Sequence, residues 1–135
     1  MAEKEAIAVV LEFMERINAG DAEAICALMT EDHVFVDSLG TRVEGREKMR
    51  GGWVAYHKME PDYKVSHEEI LAKGDAVVVL GTARGTYSKD GELKKENFWE
   101  VPAAWKAIVR GGLVAYWQVF ADNEPIRKLM RAAGP

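Results

Sequence analysis

Apolar residues recur every three or four positions near the start of the chain, at Ile7, Val10, Leu11, Met14 and Ile17. That spacing places them on one stripe of an amphipathic helix, which the pattern predicts over residues 3–18. Phe13 borders the stripe and joins it through Val10 and Ile17. Asn18-Ala19-Gly20 reads as a helix stop, because glycine accepts the left-handed backbone of a C-cap. Asp21 follows as an N-cap. A shorter helix over 22–29 turns Ile25, Leu28 and Met29 inward, and Glu31-Asp32 closes it. His33-Val34-Phe35-Val36-Asp37 is then strand-like, and Ser38-Leu39-Gly40 turns it. Gly45 precedes a third helix over 46–59, with Met49, Trp53 and Tyr56 on one face. Gly51-Gly52 weakens that helix by about 1 kcal/mol per glycine relative to alanine. Either a ligand or backbone approaches closely there, or the helix is simply weak. Pro61-Asp62 ends it.

Beyond this point the period changes from near four to two. Residues 63–71 alternate, with Tyr63, Val65 and His67 sharing a face. Lys73-Gly74-Asp75 is a hairpin turn. A long apolar strand over 76–87 carries Gly81 and Gly85 as bulge or bend points. A polar turn containing Asp90-Gly91 leads to a strand over 96–109. That strand is interrupted by Pro102, which cannot donate to a ladder, so a bulge or an edge is expected there. Arg110-Gly111-Gly112 turns into a last strand over 113–121. Asp122 or Asn123 caps a final helix over 124–130, with Pro125 in its first turn. The order is helix, helix, strand, helix, four strands in hairpins and a short helix. It predicts an α+β fold with helices on one face of a curved antiparallel sheet.

Composition narrows the functional classes. The chain has 135 residues, enough for one domain spanning 1–135 with a real core. Its net charge of −4 gives no basic face, so no nucleic-acid partner is expected. No run of about 18 apolar residues predicts a membrane span, and the charged start has no signal-peptide core. The single cysteine, Cys26, has neither a disulfide partner nor a metal-ligand neighbour at useful spacing. A reducing, cytoplasmic setting fits these features.

The order of elements, together with Ile17-Asn18-Ala19-Gly20-Asp21, Ala27-Leu28, Asp32 to Gly40, Gly45-Arg46-Glu47 and Val119-Phe120-Ala121-Asp122, resembles the nuclear transport factor 2-like superfamily. Within it the chain is similar to the SnoaL-like and ketosteroid isomerase branch. The resemblance covers nearly the whole chain and implies a cone-shaped sheet, a cystatin-like α+β roll. The N-terminal helices would pack on its concave face and enclose a conical pocket. It also implies a homodimer packed through the convex face of strands 76–87, 96–109 and 113–121. The fold hosts isomerases, cyclases, dehydratases, hydrolases and non-catalytic dimer modules, so it does not by itself name a reaction.

In ketosteroid isomerases the carboxylate at the end of the first strand is the general base, and Asp37 matches it. Those enzymes add an oxyanion hole of a tyrosine and a protonated aspartic acid. Here the tyrosine position falls on Phe13, and the acid position falls on Ala104 or Trp105. A second pocket tyrosine falls on Trp53. Val119 stands at one acid position of the epoxide hydrolases on this fold. Steroid isomerisation by the family mechanism is therefore not expected.

Asp37 is the leading candidate base, and its alternative is a turn residue bonding the backbone around Gly40. His33 lies four residues back on the same strand, ~13 Å away at a rise of about 3.3 Å per residue, and would flank a bound molecule or make a local hydrogen bond. Tyr56 is the third catalytic candidate. Phe13, Phe35, Trp53, His67, Trp105 and Trp117 are expected to contact a small apolar molecule, against the simpler reading of core packing. His67 is equally a structural histidine. The three histidines lie on separate elements without metal-ligand spacing, so no metal is expected. The resemblance implies proton-transfer chemistry without a cofactor: isomerisation, cyclisation or dehydration of a small apolar carbonyl or hydroxyl compound. The alternative is a non-catalytic binding or dimerisation domain.

Overall fold

A computed structural model describes residues 2–134. Helix α1 runs Ala2–Ala19 and α2 Ala22–Ala27; strand β1 runs Met29–Val36 and β2 Arg42–Glu44; helix α3 runs Arg46–Met59. Strands β3 (Lys64–Lys73), β4 (Ala76–Thr86), β5 (Phe98–Arg110) and β6 (Leu113–Ala121) follow, and α4 (Glu124–Ala133) ends the chain. The strands form one curved sheet in the order β2-β1-β6-β5-β4-β3.

The α1/α2 corner forms as its residues dictate. Gly20 adopts φ +70°, and the Asp21 carboxylate accepts the Ala24 N–H at 3.1 Å. Asn18 also clamps the end of α1 to β3: its amide donates to the Val65 carbonyl at 2.9 Å and accepts the Val65 N–H at 2.7 Å. The α1 stripe is rotated from the expected one. Phe13 is buried with Val10, Met14 and Ile17, while Ile7 and Leu11 are only half-buried.

Three local expectations change, and the edge expected at Pro102 is found. The second helix stops at Ala27, and Met29 already pairs with Val114 in the sheet. The Leu28 carbonyl accepts the Val114 N–H at 2.7 Å, so sheet bonds to a distant strand outweigh the local helical spacing. Strand β2 is an addition to the expected elements. The sheet is not wholly antiparallel, because β1 runs parallel to β6, with Phe35 opposite Trp117. Pro102 lies in unbroken register opposite Thr82, but pairing with β6 begins only at Ala103, so the proline sits at a local edge.

Alternate residues of β5, namely Trp99, Val101, Ala103, Trp105, Ala107 and Val109, all point into the core. Helix α1 packs on β3, β4, β5 and β6, and α3 packs on β1, β2 and α2. The face is thus filled at one end and left open at the other.

Candidate functional site

The open end is a cavity of about 430 Å³. Its wall is an unbroken series of ring contacts. Centroid separations are 6.5 Å for Phe35–Trp53, 6.2 Å for Trp53–Tyr56, 4.9 Å for Tyr56–Tyr63 and 6.1 Å for Tyr63–Trp99. Trp117, Val43, Met49, Ala83, Val101, Val119 and Ala121 complete an apolar lining. The mouth is polar: Asp37, Ser38, Lys48 and Asn123 line it and are partly or fully exposed. This combination suits a small, mostly apolar organic ligand with few polar groups.

Asp37 sits at the mouth because β1 ends at Val36 and the chain turns at once. The turn is held by the Gly40 N–H to the Asp37 carbonyl at 3.0 Å, with Gly40 at φ +85°. The Asp37 carboxylate itself accepts two backbone N–H groups through Oδ1, from Leu39 and Thr41, each at 2.9 Å. Among the described residues Oδ2 has no partner. One oxygen therefore orients the carboxylate while the other remains available at the cavity. Asn123 donates to the Ser38 hydroxyl at 2.6 Å, drawing the start of α4 over the turn. Asp122 accepts the Glu124 N–H at 2.9 Å, while Ile126 of α4 lines the cavity.

The structure brings Asp37, Phe35, Trp53, Tyr56 and Trp117 together around this space. Four other residues singled out in the sequence lie elsewhere. His33 is fully buried under α1, its ring 6.2 Å from Phe13, and its Nδ1–H donates to the Val114 carbonyl at 2.7 Å. Burial holds its imidazole below the ordinary range, against the opposing pull of that hydrogen bond. Phe13 is core, edge-on to Trp117 at 4.9 Å. Trp105 stacks on Trp117 at 6.3 Å and is sealed; its place in the cavity is taken by Trp99, six residues earlier on the same face. His67 is exposed. A bulge between His67 and Glu69 reverses the alternation of β3, so that Tyr63 and Val65 point inward before it and Ile70 and Ala72 after it.

Sequence reasoning misses Tyr63, Ser38, Lys48 and Asn123 as lining residues, counts Trp99 only among the aromatic strand residues without choosing it over Trp105, and misses Glu60 altogether. Glu60 is buried at the end of α3, where its Oε1 accepts the Trp99 Nε1–H at 2.7 Å. Burial pushes its carboxyl up to about 7; the Trp99 bond opposes this and the nearby Asp62 adds to it. The sequence does carry a signal for Glu60. The stripe Met49, Trp53, Tyr56 continues at helical spacing to Glu60, an acid at an apolar position. Among the described residues no three His, Cys, Asp or Glu side chains cluster as metal ligands, and no helix is long and apolar enough to cross a membrane.

Comparison with solved structures places this architecture. A putative polyketide cyclase from Xanthomonas campestris pv. campestris superposes with a TM-score of 0.83 at 19% identity, covering 96% of this chain and 99% of that one. An LEH-like epoxide hydrolase of M. tuberculosis gives 0.78 at 19% identity, covering 97% and 93%. A protein with a ketosteroid isomerase-like fold from Catenulispora acidiphila, solved with trimethylamine, gives 0.76 at 19% identity, covering 87% and 88%. At such identities the likeness establishes the fold, the nuclear transport factor 2-like cone. No curated protein sequence matches the chain. The sequence profile of the SnoaL-like domain matches residues 10–117, a span that runs from the middle of α1 into β6 and holds most of the cavity wall, and the chain therefore belongs to the SnoaL-like domain family.

Proposed function

We propose that this SnoaL-like protein is a cofactor-independent acid–base enzyme. It isomerises, cyclises or dehydrates a small apolar carbonyl or hydroxyl compound, with Asp37 as the base. One observation carries the reading: Asp37 opens onto the 430 Å³ cavity with its carboxylate oriented through Oδ1 by two backbone N–H groups. A base held in place beside an apolar ligand is what proton abstraction next to a carbonyl requires. Tyr56 is a cavity-facing donor in this scheme, and Phe35, Trp53 and Trp117 hold the apolar body. One structural neighbour is solved with trimethylamine and others are described as a putative polyketide cyclase and an epoxide hydrolase, which supports a small organic ligand.

The test works without the natural substrate in hand. A panel of small apolar ketones and enones is incubated with the protein in deuterated water, and deuterium entering beside the carbonyl is followed by NMR. Wild type accelerates exchange for a ligand that binds, and Asp37→Asn loses about a hundredfold or more. Equal exchange by the two proteins sinks the assignment. A second reading, a passive binding domain, draws on the same Oδ1 bonds, which also satisfy a turn. It is the outcome if ligands bind but no exchange occurs.

The convex face leaves Leu80, Phe98, Ile108 and Phe120 exposed; Leu80 and Phe120 flank Ala104 across three adjacent strands, and we assign this face to a homodimer contact, since adjoining exposed apolar residues mark interaction surfaces. Sedimentation at micromolar concentration is expected to give a dimer; a monomer contradicts this. A reducing cytoplasm suits the buried, unpaired Cys26.

A further inference from the structure

Behind the aromatic wall lies a carboxyl group that the Asp37 chemistry does not use. Glu60 closes α3: its N–H bonds the Tyr56 carbonyl at 2.8 Å, and its own carbonyl accepts the Tyr63 N–H at 3.1 Å. Its side chain has no exposed surface. Oε1 takes the Trp99 indole N–H, and Oε2 has no partner. A third element keeps room for this pair. A Cβ on Gly85 of β4 would stand 2.9 Å from Oε1 and 3.2 Å from the Trp99 ring. An ionisable group buried with half of its hydrogen bonding unmet is costly, and such groups concentrate at functional sites.

Tyr56 and Tyr63 flank Glu60 and form the adjacent wall of the cavity. Neither hydroxyl bonds a protein group among the described residues, and neither is sealed from the cavity. Burial, with the charge of Glu60 adding to it, raises both phenols above their ordinary range, so both stay protonated donors. Donors that face an apolar space need an acceptor from the ligand.

We propose that the α3 end of the cavity is a donor subsite for a ligand carbonyl oxygen, held by the hydroxyls of Tyr56 and Tyr63 and polarised to a degree set by the charge on Glu60 behind them. The proposal rests on the pocket reading above and specifies its ligand. Tyr56 and Tyr63 touch the oxygen, and Glu60 is a positioning residue acting through them. The other charged group acting on Glu60 is Asp62, from the turn after α3, which is itself held by the Thr86 N–H and hydroxyl at 2.7 Å each. Trp99 and Gly85 bring no charge. Neutral Glu60 leaves the phenols free to polarise the oxygen. Ionised Glu60 opposes negative charge on that oxygen through its coulombic effect on both phenols. Since its carboxyl titrates near 7, polarisation is stronger on the acid side.

The probe is 4-(dimethylamino)benzylideneacetone, a push–pull ketone whose absorption moves to longer wavelength when a donor polarises its carbonyl. Bound to the full chain between pH 5.5 and 8.5, it is expected to show its largest red shift at low pH, with a midpoint near 7. Glu60→Gln keeps an acceptor for Trp99 without a charge and holds the acid-side spectrum at every pH. Tyr63→Phe and Tyr56→Phe each reduce the red shift and weaken binding by about tenfold, as for one lost hydrogen bond. A purely structural Glu60 would leave the midpoint unchanged. A bound spectrum independent of pH in wild type, or a wild-type midpoint retained in Glu60→Gln, overturns the proposal alone. Failure of the probe to bind overturns the carbonyl-pocket reading with it.

Discussion

Replacing Glu60 by glutamine tests the energetics of the buried carboxyl through stability alone. In the folded protein the group titrates near 7, against an ordinary value of 4.5. Below about pH 4.5 it is protonated in both the folded and unfolded chains and contributes no difference. Between 4.5 and 7 the unfolded chain releases its proton while the folded chain retains it. The native state then binds one more proton, and stability falls by about 1.4 kcal/mol per pH unit from this group. The full gap corresponds to roughly 3 kcal/mol lost by pH 8. Glutamine accepts the Trp99 N–H equally well and does not titrate. Its buried NH₂ adds a cost that is constant with pH. Wild type and Glu60→Gln are unfolded in urea at half-unit steps from pH 4.5 to 8, and the difference in unfolding free energy is plotted, so that every other titrating group cancels. The variant is expected to gain on wild type by roughly 3 kcal/mol across this window, most steeply between 5 and 7. A flat difference plot refutes the reasoning, because it means that Glu60 titrates alike in the folded and unfolded chains.

Two glycines give opposite expectations. A Cβ at Gly81 would lie 1.8 Å from the Ser66 carbonyl oxygen, beside the β3 bulge, so Gly81→Ala is expected to cost about 4 kcal/mol or more; a melting temperature near wild type contradicts the close packing. Nothing lies within 4 Å of a Cβ at Gly51, which is exposed in mid-helix, so Gly51→Ala is expected to stabilise by about 1 kcal/mol in the same urea assay. A loss of stability there would indicate an approach to this helix face that the monomer does not contain.

Much of this architecture is decided by interactions within a few residues, and those parts were legible in the sequence. The inward Val10, Met14 and Ile17 of α1, the Gly20-Asp21 corner, the Lys73-Gly74-Asp75 hairpin and the start and end of β6 all follow from helical or strand periodicity and from turn chemistry. Asp37 at the end of the first strand was legible for the same reason, as was the aromatic character of the space beside it. What local rules do not contain is the identity of the neighbour. Strand β2 has three residues and exists only because β1 lies beside it. Trp99 and Trp105 occupy equivalent faces of β5, and only the cover over the sheet makes one cavity wall and the other core. His33 is likewise taken out of reach by the packing of Phe13. His67 leaves its predicted face because a bulge reverses the alternation of β3. Glu60 follows the apolar stripe of α3 in sequence, but its indole donor and its glycine clearance come from β5 and β4. Periodicity therefore determined the longer elements and the one carboxylate that a strand end delivers. The tertiary structure decided which side chains face an open space, because burial and charge in the interior depend on contacts between residues far apart in the chain.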